Sequence, residues 1–242
     1  MSGKKHILIT GATGGIGAAI AVALASPDVL LSIHYHSNKD KAEDVRQRCE
    51  QRGSDVYFVQ SDLRSSVSVD KLVEQLVMPV DVLVNTAGHS LQGLVTDLTD
   101  PELMDVMTVH LLSPIKLTRA LLPHMISRKA GKILLISSIW GVTGASYEVA
   151  YSSAKGGLNS FVKALAKEVA PSGIQVNAVA PGAIETNMMS GYEPEELQQI
   201  KDDIPAGRLG KPDEIADAVS FLVSDQSNYI NGQIIEINGA WH

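Results

Sequence analysis

The chain has almost no cysteine. Cys49 stands alone among 242 residues, so no disulfide can close within it and no thiolate cluster can hold a metal, which fits a reducing compartment. Positive charge is also scarce: 20 Lys and Arg face 27 Asp and Glu, for a net charge of −7 and an isoelectric point near 5.5. A basic stripe for nucleic acid or an anionic membrane is therefore missing. No apolar run reaches the ~18 residues that cross a bilayer. The opening Met1-Ser2-Gly3-Lys4-Lys5-His6-Ile7 lacks the apolar stretch and small-residue cleavage site of a secretion signal. The expectation is a cytoplasmic protein with neither nucleic acid nor membrane as partner. Linker-like stretches, composition breaks and fixed-period repeats are absent too, so residues 1–242 read as one domain, long enough to bury a sizeable core. A composition 45% hydrophobic and 19% charged excludes a disordered chain.

What is present is alternation. Runs rich in β-formers at His6–Thr10, Val29–Tyr35, Val56–Gln60, Asp81–Asn85, Lys132–Ser137, Gln175–Ala180 and Gln233–Ile237 are strand candidates. Helical patterns fall between them at Ile16–Ala25, Lys39–Arg52, Val67–Val77, Pro101–Val109, Leu111–Ser127, Ala150–Ala170, Glu193–Asp202 and Pro212–Ser224. Near-continuous apolar strands are covered on both faces, as parallel strands are. The expectation is an α/β fold: one doubly wound, Rossmann-type parallel sheet of about seven strands with helices on both faces.

Between the first strand and the first helix stands Thr10-Gly11-Ala12-Thr13-Gly14-Gly15-Ile16-Gly17. Small residues can simply open a helix. At the first strand-to-helix turn, however, Gly11, Gly15 and Gly17 let backbone approach a pyrophosphate, and the helix presents its free N–H groups and positive dipole end to the anion. The second strand ends in His34-Tyr35-His36-Ser37-Asn38, and the first acid after it is Asp40. No carboxylate waits at that tip to bind a ribose 2′-hydroxyl or to repel a 2′-phosphate. Ser37, Asn38 and Lys39 tolerate the phosphate, which points to NADP over NAD.

Tyr151-Ser-Ser-Ala-Lys155 sets a phenol and an ammonium one helical turn apart. The spacing alone also describes any exposed helix pair, and Tyr35/Lys39 repeats it at a strand end. As a functional pair, a nearby ammonium favours phenolate, lowers the phenol pKa from ~10 and suits Tyr151 to general acid–base work. Ser138, at the end of the strand Lys132–Ser137, lies where ligands meet open α/β sheets and can hydrogen-bond a carbonyl oxygen.

Together, Thr10–Gly17, Asp62-Leu63, Asn85-Thr86-Ala87-Gly88, Ser138, Tyr151/Lys155 and Pro181–Thr186 resemble the short-chain dehydrogenase/reductase family over essentially the whole chain. The stretches Arg208–Ala216 and Tyr229–Gly232 are similar to its 3-oxoacyl-[acyl-carrier-protein] reductase branch. The resemblance implies that Tyr151 protonates a ketone oxygen which Ser138 orients, while a nicotinamide delivers hydride. It implies that Lys155 holds the nicotinamide ribose and depresses the tyrosine pKa. Cofactor contacts are implied for Gly11, Thr13, Gly14, Gly15, Ile16, Gly17, Asp62, Leu63, Asn85, Ala87 and Gly88, and at the nicotinamide end for Pro181, Gly182, Ile184 and Thr186. It further implies a small-molecule or carrier-bound thioester substrate, and a homotetramer built on Leu111–Ser127, Ala150–Ala170 and the last strand.

The pattern breaks at His110, where the family carries a catalytic asparagine whose backbone carbonyl binds a relay water. Two readings stand open: His110 marks slowed or lost catalysis in a dinucleotide-binding protein, or the site is active. Pro114, four residues on, has no N–H for the His110 carbonyl, and keeps it available to a water. Thr86 and Asn238-Gly239-Ala240 are smaller departures. Arg128-Lys129 could grip an acidic carrier, although Pro171-Ser172-Gly173 lacks the arginine often found before that glycine. Trp140, Val142, Tyr147 and Met188 are candidates for the pocket wall.

Overall fold

The computed structural model describes residues 3–65 and 68–242. Its elements run β1 (Lys5–Thr10), α1 (Gly15–Leu24), β2 (Val29–Tyr35), α2 (Lys39–Glu50), β3 (Asp55–Gln60), α3 (Ser68–Glu74), β4 (Val82–Asn85) and α4 (Asp100–Met107). After a π-helical turn at Thr108–Leu112 come α5 (Ser113–Arg128), β5 (Gly131–Ile136), the short α6 (Trp140–Thr143), α7 (Val149–Val169) and β6 (Ile174–Pro181). The chain finishes with α8 (Pro194–Asp203), α9 (Pro212–Val223) and β7 (Ile234–Ile237). All pairings are parallel, in the order β3-β2-β1-β4-β5-β6-β7.

Burial follows from that order. Every residue of β2, β4 and β6 is buried, and alternate strand side chains feed two cores. Ile7, Ile9, Leu134 and Ile136 pack with Ile20, Val45 and Val219 beneath α1, α2 and α9. Leu8, Ile133 and Leu135 pack with Leu72, Leu121, Leu158 and Val162 beneath α3, α5 and α7. Helix starts are signalled locally: Thr99 and Glu102 form a reciprocal capping box at α4, and prolines open α8 and α9. Cys49 is buried in the first core, where desolvation pushes its thiol up to about 11 and leaves it unreactive.

Three expectations change. The helical stretches around His110 are one continuous run, widened rather than broken: Ser113 N–H bonds the Thr108 carbonyl, five residues back. The described part of the helix expected at Val67–Val77 is Ser68–Glu74, and Val67 itself lies outside the described residues. Helix α6 was not anticipated. Among the described residues no helix is long and apolar enough to cross a membrane.

Candidate active site

Strand order reverses between β1, which continues to β2 and β3 on one side, and β4, which leads to β5 on the other. A crevice at such a switch point is where open α/β sheets bind ligands. A cleft of about 920 Å³ opens there, lined at one end by the glycine turn and at the other by Ser138, Tyr151 and Lys155.

Two glycines of the turn are dictated by space. Gly11 sits at φ +63°, and a Cβ on it would lie 2.7 Å from the Ala87 Cα. One on Gly17 would lie 2.3 Å from the Gly11 carbonyl oxygen. No side chain caps the N-terminus of α1, and its first turn has no acid, so its free N–H groups and dipole are available to an anion. The turn is anchored by His34, which sequence reading missed. Its Nδ1 accepts from Gly11 N–H at 3.1 Å, its carbonyl accepts from Ala12 N–H at 3.0 Å, and its Nε2 donates to the Ser61 carbonyl at 3.0 Å. Burial pushes the ring's pKa down to about 4, so it stays neutral and its lone pair holds the turn. The only hint in the sequence was a histidine closing an apolar strand beside the glycines. Thr10, also missed, donates to Asn85 Oδ1 at 2.9 Å and accepts from Thr86 and Ala87 N–H at 3.2 Å each. Asn85 thus lies beneath the cleft rather than in its wall, where Ala87 and Gly88 stand.

At the far end of the turn the wall carries His36, Asn38, Lys41, Asp62, Leu63 and Arg64. Ser37 is not part of it. The Asn38 side chain is occupied in capping α2, accepting from Lys41 N–H at 3.0 Å. Arg64 grips Asp62 through two bonds of 2.9 Å and holds that carboxyl down at about 2. Lys39 is not part of this wall either; Lys41 and Arg64, which the sequence reading did not single out, stand on it instead.

At the reactive end, Lys155 Nζ donates to the Ile136 carbonyl at 2.7 Å and lies 5.6 Å from the Tyr151 ring centroid. Ser138 Oγ accepts from Trp140 N–H at 3.2 Å. A buried link fixes the frame here: Ser137 Oγ donates to Asn159 Oδ1 at 2.6 Å, and Asn159 Nδ2 donates to the Gly141 carbonyl at 2.9 Å. The expected depression of the tyrosine pKa does not appear in the free chain. Burial pushes Tyr151 up to about 12, with Glu148 adding to the rise and Ser138 opposing it, while burial brings Lys155 down to about 7. Desolvation is the largest cause of both shifts, because both groups are enclosed.

His110 packs edge-on against Tyr151, with ring centroids 4.9 Å apart, and its Nε2 donates to the His89 carbonyl at 2.8 Å. Its Nδ1 is buried without a partner, and burial together with Lys155 drives its pKa well down, so the ring is neutral. Gly88 is what admits it: a Cβ there would lie 2.5 Å from His110 Cε1. Of the wall candidates, Trp140 and Met188 line the cleft, whereas Val142 and Tyr147 do not. Trp241, missed in the sequence, packs against Trp140 with centroids 5.2 Å apart. Arg128 lies at the opposite end of the sheet, paired with Asp81 beside the start of β5, away from this chain's own cleft.

The space cleared by Gly11 and Gly17, the uncapped helix start and the cleft that runs from them fit a dinucleotide. Comparison with known proteins agrees. A family model described as enoyl-(acyl carrier protein) reductase matches residues 11–242. The chain is 49% identical over 240 residues to the uncharacterized oxidoreductase YmfI of Bacillus subtilis, covering 99% of each. It is 39% identical to the 3-oxoacyl-[acyl-carrier-protein] reductase FabG of Aquifex aeolicus, covering 97% of this chain and 96% of the relative. Among solved structures, the angucycline C-6 ketoreductase LanV with bound NADP superposes with a TM-score of 0.91 at 29% identity, covering 99% of this chain and 97% of that one. The keto-reducing enzyme LugOII of lugdunomycin biosynthesis gives 0.90 at 31%, covering 97% and 96%.

Proposed function

The chain belongs to the short-chain dehydrogenase/reductase family, and from that premise we propose that it is an NADPH-dependent ketoreductase whose substrate is a 3-oxoacyl thioester. The observation that carries this reading is the placement of Ser138, Tyr151 and Lys155 at one end of a cleft whose other end is the glycine turn. Full-length similarity to reductases named for 3-oxoacyl carriers supports the thioester, and a neighbour solved with NADP supports the cofactor.

The turn Gly11–Gly17 would hold the pyrophosphate, Asp62 and Leu63 the adenine, and Lys41 with Arg64 the 2′-phosphate. Ala87, Gly88, Pro181, Gly182, Ile184 and Thr186 would seat the nicotinamide end, with Lys155 on its ribose. NADPH bound there supplies a hydride to the carbonyl carbon. Held near 12, Tyr151 keeps its proton at neutral pH and delivers it from Oη to the ketone oxygen as negative charge gathers on that atom. Ser138 Oγ donates a second hydrogen bond to the same oxygen and fixes it beside the phenol. Lys155, behind the ring, stabilises the phenolate left after the transfer. His110 takes the asparagine's place as a neutral packing group, and its carbonyl, which Pro114 gives no N–H, serves a relay water that a crystal structure would locate on it.

The net charge of −7 gives an acidic carrier protein no overall attraction to the chain, so coenzyme A esters and other small carbonyls stand beside carrier-bound thioesters as substrates of this reading. The free, buried Cys49 is consistent with a cytoplasmic site of action. Exposed Leu112 and Val149, at the starts of α5 and α7, support a homotetramer assembled on those helices. Initial rates with acetoacetyl coenzyme A test the reading: NADPH is consumed in preference to NADH. Binding of NADPH without turnover across ketones would favour a non-catalytic dinucleotide-binding protein instead.

A further inference from the structure

One charged group at the reactive end has no role in the chemistry above. Glu148 is the last residue before α7, one turn ahead of Tyr151, and lines the cleft beside it. It does not cap its helix: no side-chain hydrogen bond is made to the α7 N-terminus. Among the described residues it has no ion-pair partner. Among the described residues its carboxylate accepts one hydrogen bond, a long one of 3.3 Å from Gln92 Nε2, and that same nitrogen is held more tightly by the Tyr192 hydroxyl at 2.6 Å. Burial raises its pKa, the mark of a carboxylate that has lost water without gaining a cation. A half-enclosed charge with a single weak partner is costly unless something else donates to it. Nothing in catalysis calls for it, because its field opposes formation of the Tyr151 phenolate.

The same cleft carries aromatic and thioether side chains, Trp140, Trp241, Tyr192 and Met188, and Tyr192 shares the Gln92 amide with Glu148. A carboxylate in a cleft whose wall also carries aromatic faces suits an N–H group, whether a neutral amide or an ammonium, since the oxygens accept its hydrogens and the rings favour them.

Resting on the ketoreductase reading, we propose that Glu148 is a specificity-determining residue which accepts a hydrogen bond from an N–H group of the substrate, a few atoms from the ketone, and excludes substrates carrying a carboxylate there. The donor is either the amide of a pantetheine-type thioester arm or the ammonium of an amino ketone. Both share the N–H, and they differ in charge.

The test uses the full chain with saturating NADPH and four short ketones of similar size. These are ethyl acetoacetate, which has no donor; the acetoacetyl thioester of N-acetylcysteamine, with an amide; a β-amino ketone, with an ammonium; and levulinate, with a carboxylate. In wild type, kcat/KM is expected to be about tenfold higher for one N–H ketone than for the ester, mainly through KM, and lowest for levulinate. In Glu148→Gln, which keeps an acceptor oxygen but no charge, an amide preference survives and an ammonium preference is lost. Glu148→Ala removes both and narrows the discrimination against levulinate. Ranking of amide over ammonium in wild type identifies the source. If wild type reduces the ester but ranks the N–H ketones no higher, or if Glu148→Ala leaves the ratios unchanged, the inference is overturned while the ketoreductase reading stands. If no ketone is reduced, that reading fails, and binding decides the inference separately. The chain's two tryptophans, Trp140 and Trp241, both line the cleft, so quenching of their fluorescence by the N-acetylcysteamine thioester and the amino ketone reports affinity without turnover. Wild type is expected to bind one of them about tenfold more tightly than Glu148→Ala does, and equal affinities would overturn the inference.

Discussion

His34 accepts from the Gly11 N–H through its ring at 3.1 Å and from the Ala12 N–H through its carbonyl at 3.0 Å. An uncharged imidazole whose two nitrogens play opposite roles, one accepting from Gly11 and one donating to Ser61, holds the glycine turn in shape. Protonation would replace the lone pair on Nδ1 with a second N–H facing a donor. The folded pKa of about 4 lies below the ordinary 6.5, so the unfolded chain takes up this proton more readily. The stability this neutrality contributes is complete above pH 6.5 and is lost as pH falls toward 4, a range worth about 3 kcal/mol. Urea unfolding of wild type should therefore show a steeper loss of stability between pH 6.5 and 4.5 than His34→Asn does. His110 is coupled to Gly88 in a different way, by space alone. Gly88→Ala should lower turnover by about tenfold in wild type, because the added carbon displaces the ring that packs on Tyr151. In a His110→Ala background the same change should cost little. Equal losses in both backgrounds would separate the two residues.

At the scale of elements, most of the architecture was legible. The seven strands and the glycine turn declare themselves because apolar runs and glycine spacing are local properties of the chain. Tyr151 and Lys155 could be paired because one helix carries both. The rest depended on contacts between distant segments. The π-helical turn at Thr108–Leu112 looks in sequence like a gap between two helices, since the composition around Val109–Leu111 does not separate a widened turn from an interruption. Val142 and Tyr147 share the apolar and aromatic character of Trp140, and only the course of the chain after β5 turns them out of the cleft. The tyrosine pKa was misjudged because sequence spacing reports the neighbour and says nothing of enclosure. Within the turn itself the glycines are unequal. Gly17 has no room for a side chain, whereas a Cβ on Gly14 would lie 3.4 Å from the Gly11 carbonyl oxygen, in ordinary contact. Gly17→Ala should abolish NADPH binding and lower the melting temperature. Gly14→Ala should keep both near wild type, as read by fluorescence titration and thermal unfolding.

For the whole molecule, one parallel sheet places the two halves of the reaction on opposite sides of a reversal in strand order. The glycine turn follows β1 and Tyr151 stands beyond β5, so a single cleft joins them. The apolar surface left on the helices should be covered by other copies of the chain. Sedimentation at micromolar concentration should give one species of about four times 25.8 kDa, and the mass of a single chain would contradict that assembly. In the proposed reaction, turnover rests on one phenolic proton, passed from Tyr151 to the substrate. Tyr151→Phe keeps the ring that packs on His110 and removes only that hydroxyl. NADPH oxidation with an acetoacetyl thioester should fall by about a thousandfold while the variant binds NADPH as wild type does. Turnover at the wild-type rate without the hydroxyl would contradict the account.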